Sequence, residues 1–134
     1  MLRVASVLSE QEERIVTRTL DCGFAVSRIL GPGFRERIYE RAFCLELDSR
    51  GLVFECEKAI EVRYRDWTIP GQRIDLIVQG LVLVEIKSVP RLRPLHDAQL
   101  RSYLKTTGLH VGLLMNFNVA KFKDGFRRII NTTR

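Results

Sequence analysis

With 134 residues, 46% hydrophobic and 28% charged, the chain has the size and balance of one soluble globular domain with a real core. A net charge of +6 and an isoelectric point near 9.7 favour a polyanionic partner without identifying one. Cys22, Cys44 and Cys56 form no CxxC pair and are odd in number, which argues against a disulfide framework and a zinc or iron–sulfur site; they read as reduced, mostly buried thiols of a cytoplasmic protein.

The amino terminus turns polar at Ser9-Glu10-Gln11-Glu12-Glu13, too early for a signal peptide, and no later run is long enough to span a membrane. Ser9 followed by Glu12 is a capping-box signature, and apolar residues then recur at Ile15, Val16, Leu20, Val26, Ile29 and Leu30. This predicts a helix that ends at Gly31-Pro32-Gly33. A second helix is expected from about Phe34 to Arg50, stopped by Gly51, with Ile38, Ala42 and Leu45 as its stripe and Tyr39 and Phe43 beside it. Glu36 lies in its first turn, where the helix dipole alone explains a negative charge. From Leu52 to Tyr64 the loose alternation suggests an extended or bent strand. Arg65-Asp66-Trp67 and Pro70-Gly71 are turn candidates.

The stretch from Arg73 to Lys87 reads as a β-hairpin, two Val/Ile/Leu-rich runs parted by Gln79-Gly80. A two-residue loop would mix Glu85 and Lys87 into the apolar face. A loop of three residues, Gln79-Gly80-Leu81, pairs Val78 with Val82 and sets Asp75 opposite Glu85. Ile74, Leu76, Val78, Val82, Val84 and Ile86 then make one apolar face, and Asp75, Glu85 and Lys87 converge on the other. Two carboxylates opposed at roughly 5 Å between Cβ atoms repel unless neutralised, by Lys87 in part and more fully by a divalent cation. Taken alone, the pattern fits an exposed salt-bridged sheet face slightly better than a site.

Pro90 and Pro94 bracket a basic loop with Arg91 and Arg93. A third helix is expected from about Leu95 to Thr106, with Gln99 and Tyr103 on one face and Gly108 as its stop. His96 at its start reads as a cap or a solvated side chain. His110 to Phe117 reads as a buried strand. Lys121-Phe122-Lys123 and Phe126 to Ile130 read as a terminal hairpin around Asp124-Gly125, with Lys121, Lys123, Arg127 and Arg128 as a basic edge or a guard against edge pairing. The whole, residues 1–134, is expected to be one α/β domain.

The candidate site thus gathers Asp75, Glu85 and Lys87 from the hairpin, Glu36 from the second helix and Gln99 with Tyr103 from the third. All-oxygen donors suit Mg²⁺ or Mn²⁺ rather than zinc. There is no GxSxG and no phosphate loop of the Walker type.

Asp75 followed by Glu85-Ile86-Lys87 resembles the PD-(D/E)xK nuclease superfamily. Gly33-Phe34-Arg35-Glu36-Arg37-Ile38-Tyr39 matches GxxExxY, the motif naming one small bacterial and archaeal family within it, and Gln99-Leu100-Arg101-Ser102-Tyr103 matches QxxxY of RecB-like members. The likeness runs from the first helix through Asn116-Phe117. One departure is Ile74, where the superfamily's name has proline. The resemblance implies a three-layer restriction-endonuclease-like core (αβββαβ), its mixed central sheet flanked by helices. It implies Asp75 and Glu85 as ligands of Mg²⁺ or Mn²⁺, Glu36 as an assisting ligand, Lys87 as the catalytic lysine, and Gln99 and Tyr103 as substrate-positioning residues. The expected activity is hydrolysis of phosphodiester bonds, in DNA by preference, in repair, recombination or defence. The alternative is a non-catalytic nucleic-acid-binding or partner-binding module that keeps the fold. Arg91, Arg93, Lys121, Lys123, Arg127 and Arg128 are the candidate phosphate contacts. Oligomeric state is left open, a homodimer included.

Overall fold

Ser9 opens the first helix as its spacing to Glu12 predicts. Its hydroxyl oxygen accepts from the Glu12 N–H at 3.0 Å, and its own N–H donates to Glu12 Oε1 at 2.8 Å. The computed structural model describes residues 7–131. In chain order the elements are α1 (Glu10–Leu30), α2 (Glu36–Ser49), β1 (Phe54–Tyr64), β2 (Trp67–Val78), β3 (Val82–Lys87), α3 (Pro94–Thr107), β4 (Val111–Asn116), a 3-10 turn (Phe122–Asp124) and β5 (Phe126–Ile130). No described helix is long and apolar enough to cross a membrane.

The strands form one five-stranded sheet in the order β1-β2-β3-β4-β5. Only β3 and β4 run parallel, joined through α3 as a parallel pair requires; the other neighbours are antiparallel. On one face, Val16 and Val26 of α1 and Tyr39, Phe43 and Leu47 of α2 pack on Val78, Val82, Val84, Ile86, Leu113 and Met115. On the other, Leu100, Tyr103 and Leu104 of α3 pack on Ile77, Leu83 and Leu114. The result is the expected three-layer α/β arrangement. β4, covered on both sides, is buried throughout, which is why its sequence is a continuous apolar run. Gly112 within it is needed for close approach: a Cβ there would meet Leu100 Cδ1 at 2.9 Å.

The central hairpin has the register that segregation of charge requires, with Val78 opposite Val82 and Val84 opposite Leu76. Gly80 takes the left-handed conformation, φ 68°.

Five expectations need correction. On α2 the buried stripe is Tyr39, Phe43 and Leu47, whereas Ile38 and Leu45 of the expected stripe are exposed. Pro70-Gly71 is no turn. β2 runs through it, and the two residues bulge opposite Glu61 between the pairs Ile60–Gln72 and Val62–Ile69. Proline is tolerated because this part of β2 pairs only with β1 and has a free edge. Lys121-Phe122-Lys123 is not a strand; it leads into the 3-10 turn, and β5 pairs with β4 instead. Ile74 packs with the α3-side cluster rather than with Leu76, because the β2–β3 ladder ends at Leu76 and the strand beside it is kinked at Glu57. Of the cysteines only Cys22 is buried; Cys44 is half-buried and Cys56 exposed, all three as free thiols.

Candidate active site

The site begins where the β2–β3 ladder stops. Beyond the Leu76–Val84 pair, side chains replace the interstrand backbone bonds. The Asp75 N–H donates to Glu85 Oε1 at 3.0 Å, and the Ile86 N–H donates to Asp75 Oδ2 at 2.8 Å. Asp75 and Glu85 therefore face each other between the strands, as the hairpin register demands. Glu85 is only 5% exposed.

Two further carboxylates join them. Glu57 lies across β1 from Asp75, between the pairs Cys56–Leu76 and Lys58–Ile74, and has φ 50°. That is the left-handed region, where a residue with a Cβ is strained by about 1–2 kcal/mol. Glu40 lies one turn after Glu36 on α2. Carboxylate oxygens of Glu40, Glu57 and Asp75 all lie within 4.8 Å of one another. Glu36, expected to assist the metal, is exposed and not part of that triplet, though it is close enough for Asp75 and Lys87 to act on its charge.

Sequence reasoning missed Glu40 and Glu57. Glu40 shares a helix face with Glu36, a signal that was available. Glu57 becomes visible only once β1 is registered against an uninterrupted β2.

This crowding raises the carboxyl pKa values. Burial, then the charge of Asp75, pushes Glu85 up to about 8. Burial, then a hydrogen bond with Glu57 and the charge of Asp75, does the same for Glu40, up to about 8. Asp75 is raised mainly by burial, opposed by the Ile86 N–H and by Lys87. Each carboxyl pair thus holds a proton where a cation would otherwise supply positive charge. Hard all-oxygen donors at this spacing fit a divalent cation such as Mg²⁺ or Mn²⁺.

Lys87 stands at the end of β3, half-buried, its Nζ donating to Gln99 Oε1 at 3.1 Å. It makes no ion pair among the described residues, so its ammonium is held by a neutral amide beside the carboxylates. Tyr103, one turn beyond Gln99, accepts at its hydroxyl from Gln72 Nε2 at 2.7 Å, which ties α3 to β2. His96 is a cap: its Nδ1 accepts from the Arg93 N–H at 3.0 Å.

Tyr39 acts from behind. Fully buried and stacked on Phe117 at 5.1 Å, it donates to the Gly31 carbonyl at 2.6 Å and accepts from the Phe34 N–H at 3.1 Å. The same loop is held by Ser88, whose hydroxyl donates to the Phe34 carbonyl at 2.6 Å, and by Asn118, which accepts from the Gly33 N–H at 3.2 Å. These bonds fix the start of α2, and hence Glu36 and Glu40, over the ends of β3 and β4.

The basic candidates do not form one patch, although Arg91 and Arg127 line one cleft. Arg91 and Arg93 are exposed on the loop before α3. Lys121 and Lys123 line a cleft with Arg28 and Phe24 beside the end of α1. Arg127 is paired with Asp97 of α3 at 2.6 Å and Arg128 with Glu13 of α1, on opposite faces of the sheet.

A mixed sheet flanked by helices, with a carboxylate pair on a hairpin and a lysine two residues on, defines a class of nuclease-like domains. The family model of the PD-(D/E)XK nuclease superfamily matches residues 13–129, and the chain belongs to that superfamily. No curated protein matches the chain. The crystal structure of SSO0001 is similar in fold, with a TM-score of 0.54 at 20% identity, over 92% of this chain and 63% of that one. The present chain thus spans less than two thirds of that protein's length.

Proposed function

We propose that this protein is a divalent-cation-dependent nuclease that hydrolyses phosphodiester bonds, with DNA as the expected substrate and the GxxExxY group as its place within the superfamily. The reading takes the chain as a single catalytic domain acting in the cytoplasm. The observation that carries it is the set of inward-facing carboxylates at the β2–β3 fork, with Lys87 beside them and no ion pair holding it.

Asp75 and Glu85, with Glu40 and Glu57, would hold the cation, and Glu36 would assist through water. When bound, Mg²⁺ or Mn²⁺ supplies a water of lowered pKa and positive charge against the phosphate. The chain's own residues supply the rest. Lys87 directs an N–H at the attacking water or at the negative charge growing on the phosphate. Gln99 orients that ammonium, and Tyr103 with Gln72 braces α3 against β2. Tyr39 keeps α2 in register with the fork.

The test is cleavage of single-stranded, duplex, nicked and branched DNA, and of RNA, with Mg²⁺ or Mn²⁺. Wild type is compared with Asp75→Ala purified in the same way. Cleavage by the wild type alone supports the reading. Equal cleavage by both refutes it.

A further inference from the structure

Beyond the fork, β1 and β2 continue as a two-stranded ribbon that no other strand accompanies. β2 pairs with β3 only through Leu76–Val78, whereas its pairing with β1 extends to Tyr64–Trp67. Tyr64 lies seven residue steps beyond Glu57 along β1, about 23 Å of extended strand at the usual rise. The ribbon therefore starts at the carboxylates and ends well beyond the reach of β3.

Its tip is unusual for a solvated hairpin. Val62 faces Ile69 and Tyr64 faces Trp67 across the strands, so all four side chains lie on one face. All are exposed, Tyr64 at 58% and Trp67 at 69%. Arg65 stands beside them, in no ion pair among the described residues, with its guanidinium over the Tyr64 ring at 5.7 Å, while Arg63, paired with Thr68 across the strands, projects from the opposite face of the ribbon. From residue 58 to residue 73 the ribbon carries Lys58, Arg63, Arg65 and Arg73 against Glu61 and Asp66, a net charge of +2.

We propose that the ribbon is a substrate arm that stacks unpaired nucleotide bases on Tyr64 and Trp67 while Arg65 contacts a flanking phosphate. Aromatic faces bind bases only where these are unstacked from a duplex, and cations beside them match the backbone charge. A duplex reader would instead present hydrogen-bonding side chains to the groove, and this face has apolar and aromatic ones. The proposal rests on the nuclease reading for its substrate class and adds the preference for single-stranded or branched nucleic acid. The arm's origin beside Glu57 and Asp75 places the stacked bases on the strand that enters the fork.

Trp67 is the chain's one tryptophan, so its emission reports on the tip alone. The experiment titrates the protein in EDTA with a short oligothymidylate, a duplex of equal length and heparin. Anisotropy of the labelled oligonucleotide is then measured with wild type and with Trp67→Ala, whose fold is checked by circular dichroism. Expected are strong quenching by the single strand, little by heparin or duplex, and binding about tenfold or more weaker in the variant, the scale of one lost stacked base. Equal quenching by heparin, or unchanged binding by Trp67→Ala, overturns the proposal. So does emission that shifts with protein concentration alone, which would make this face a contact between copies of the chain. If no substrate is cut with either metal while quenching and its loss persist, the arm stands and the nuclease reading falls. If cutting persists and the variant matches wild type in binding, the arm alone falls.

Discussion

Asp75 and Glu85 cross-brace the ends of their strands, with the Asp75 N–H donating to Glu85 Oε1 at 3.0 Å and Asp75 Oδ2 accepting from the Ile86 N–H at 2.8 Å. The two carboxyl groups are thereby fixed in place whether or not a cation is present, and the cost of ionising both side by side is built into the fold. A cation that relieves this cost binds the native state alone and stabilises it by linkage. Mn²⁺ or Mg²⁺ should therefore raise the Tm of the wild type. Glu85→Gln keeps an oxygen for the Asp75 N–H and removes the charge, so it should fold normally and lose that rise. Equal shifts in both proteins would place the cation elsewhere.

The raised carboxyl pKa values set a pH dependence of metal-free stability. Glu85 and Glu40 lie at about 8 in the folded protein against an ordinary 4.5. Between these values the native state binds protons that the unfolded chain has released, so stability falls as pH rises through that window. Urea midpoints measured in EDTA should drop between about pH 5 and pH 9. Glu40→Gln and Glu85→Gln should each flatten the drop. A wild-type midpoint that rises over the window would contradict this protonation scheme.

Glu57 combines a strained backbone with a converging carboxylate. Glycine adopts φ 50° without a Cβ penalty. Glu57→Gly should accordingly gain about 1 kcal/mol of metal-free stability from relief of strain, while the rise in Tm with Mn²⁺ shrinks. Stability lost together with an unchanged metal response would mean that the strain serves packing rather than the site.

Tyr39 tests whether the helix-bearing half of the site depends on its loop. Tyr39→Phe keeps the stack on Phe117 but leaves the Gly31 carbonyl and the Phe34 N–H without their partner. A cost of about 1–3 kcal/mol is expected, with weaker Mn²⁺ binding because Glu40 is carried on the same helix. Wild-type metal affinity in this variant would show that α2 holds its place without the loop.

The parts of the fold that were legible in the sequence are those governed by local chemistry. Ser9 and Glu12 cap a helix through bonds between near neighbours. The Val78–Val82 register follows because the two-residue loop would put Glu85 and Lys87 on the face of the valines and isoleucines. Errors came where tertiary pairing overrides a local signal. Pro70-Gly71 has turn composition but bulges within a strand, since the partner strand continues past it. Reading it as a turn cut β2 in two and hid Glu57, which faces Asp75 only in the uninterrupted register. Lys121 and Lys123 alternate like a strand, but β4 accepts β5 as its outer neighbour and the segment closes as a 3-10 turn. Arg127 and Arg128 read as a basic edge or a guard against edge pairing because Asp97 and Glu13, their partners, are distant in sequence.

Lys87 offers the sharpest test of chemistry as distinct from binding. Its ammonium is turned toward Gln99 at 3.1 Å rather than locked on a carboxylate, so it can swing to a phosphate oxygen or an attacking water without breaking an ion pair. Lys87→Ala should leave the circular dichroism spectrum and most DNA binding intact. It should slow cleavage by about 10²-fold or more, the scale of one lost transition-state donor. Lys87→Arg should not restore the rate, because the guanidinium is broader, planar and unable to give up its proton. Gln99→Ala frees the ammonium without removing it and should cost less than Lys87→Ala. The decisive comparison is single-turnover cleavage by wild type, Asp75→Ala and Lys87→Ala prepared identically. If all three cut at one rate, the activity is a contaminant. If none cuts any substrate with either metal, the protein is a binding module that retains the nuclease fold.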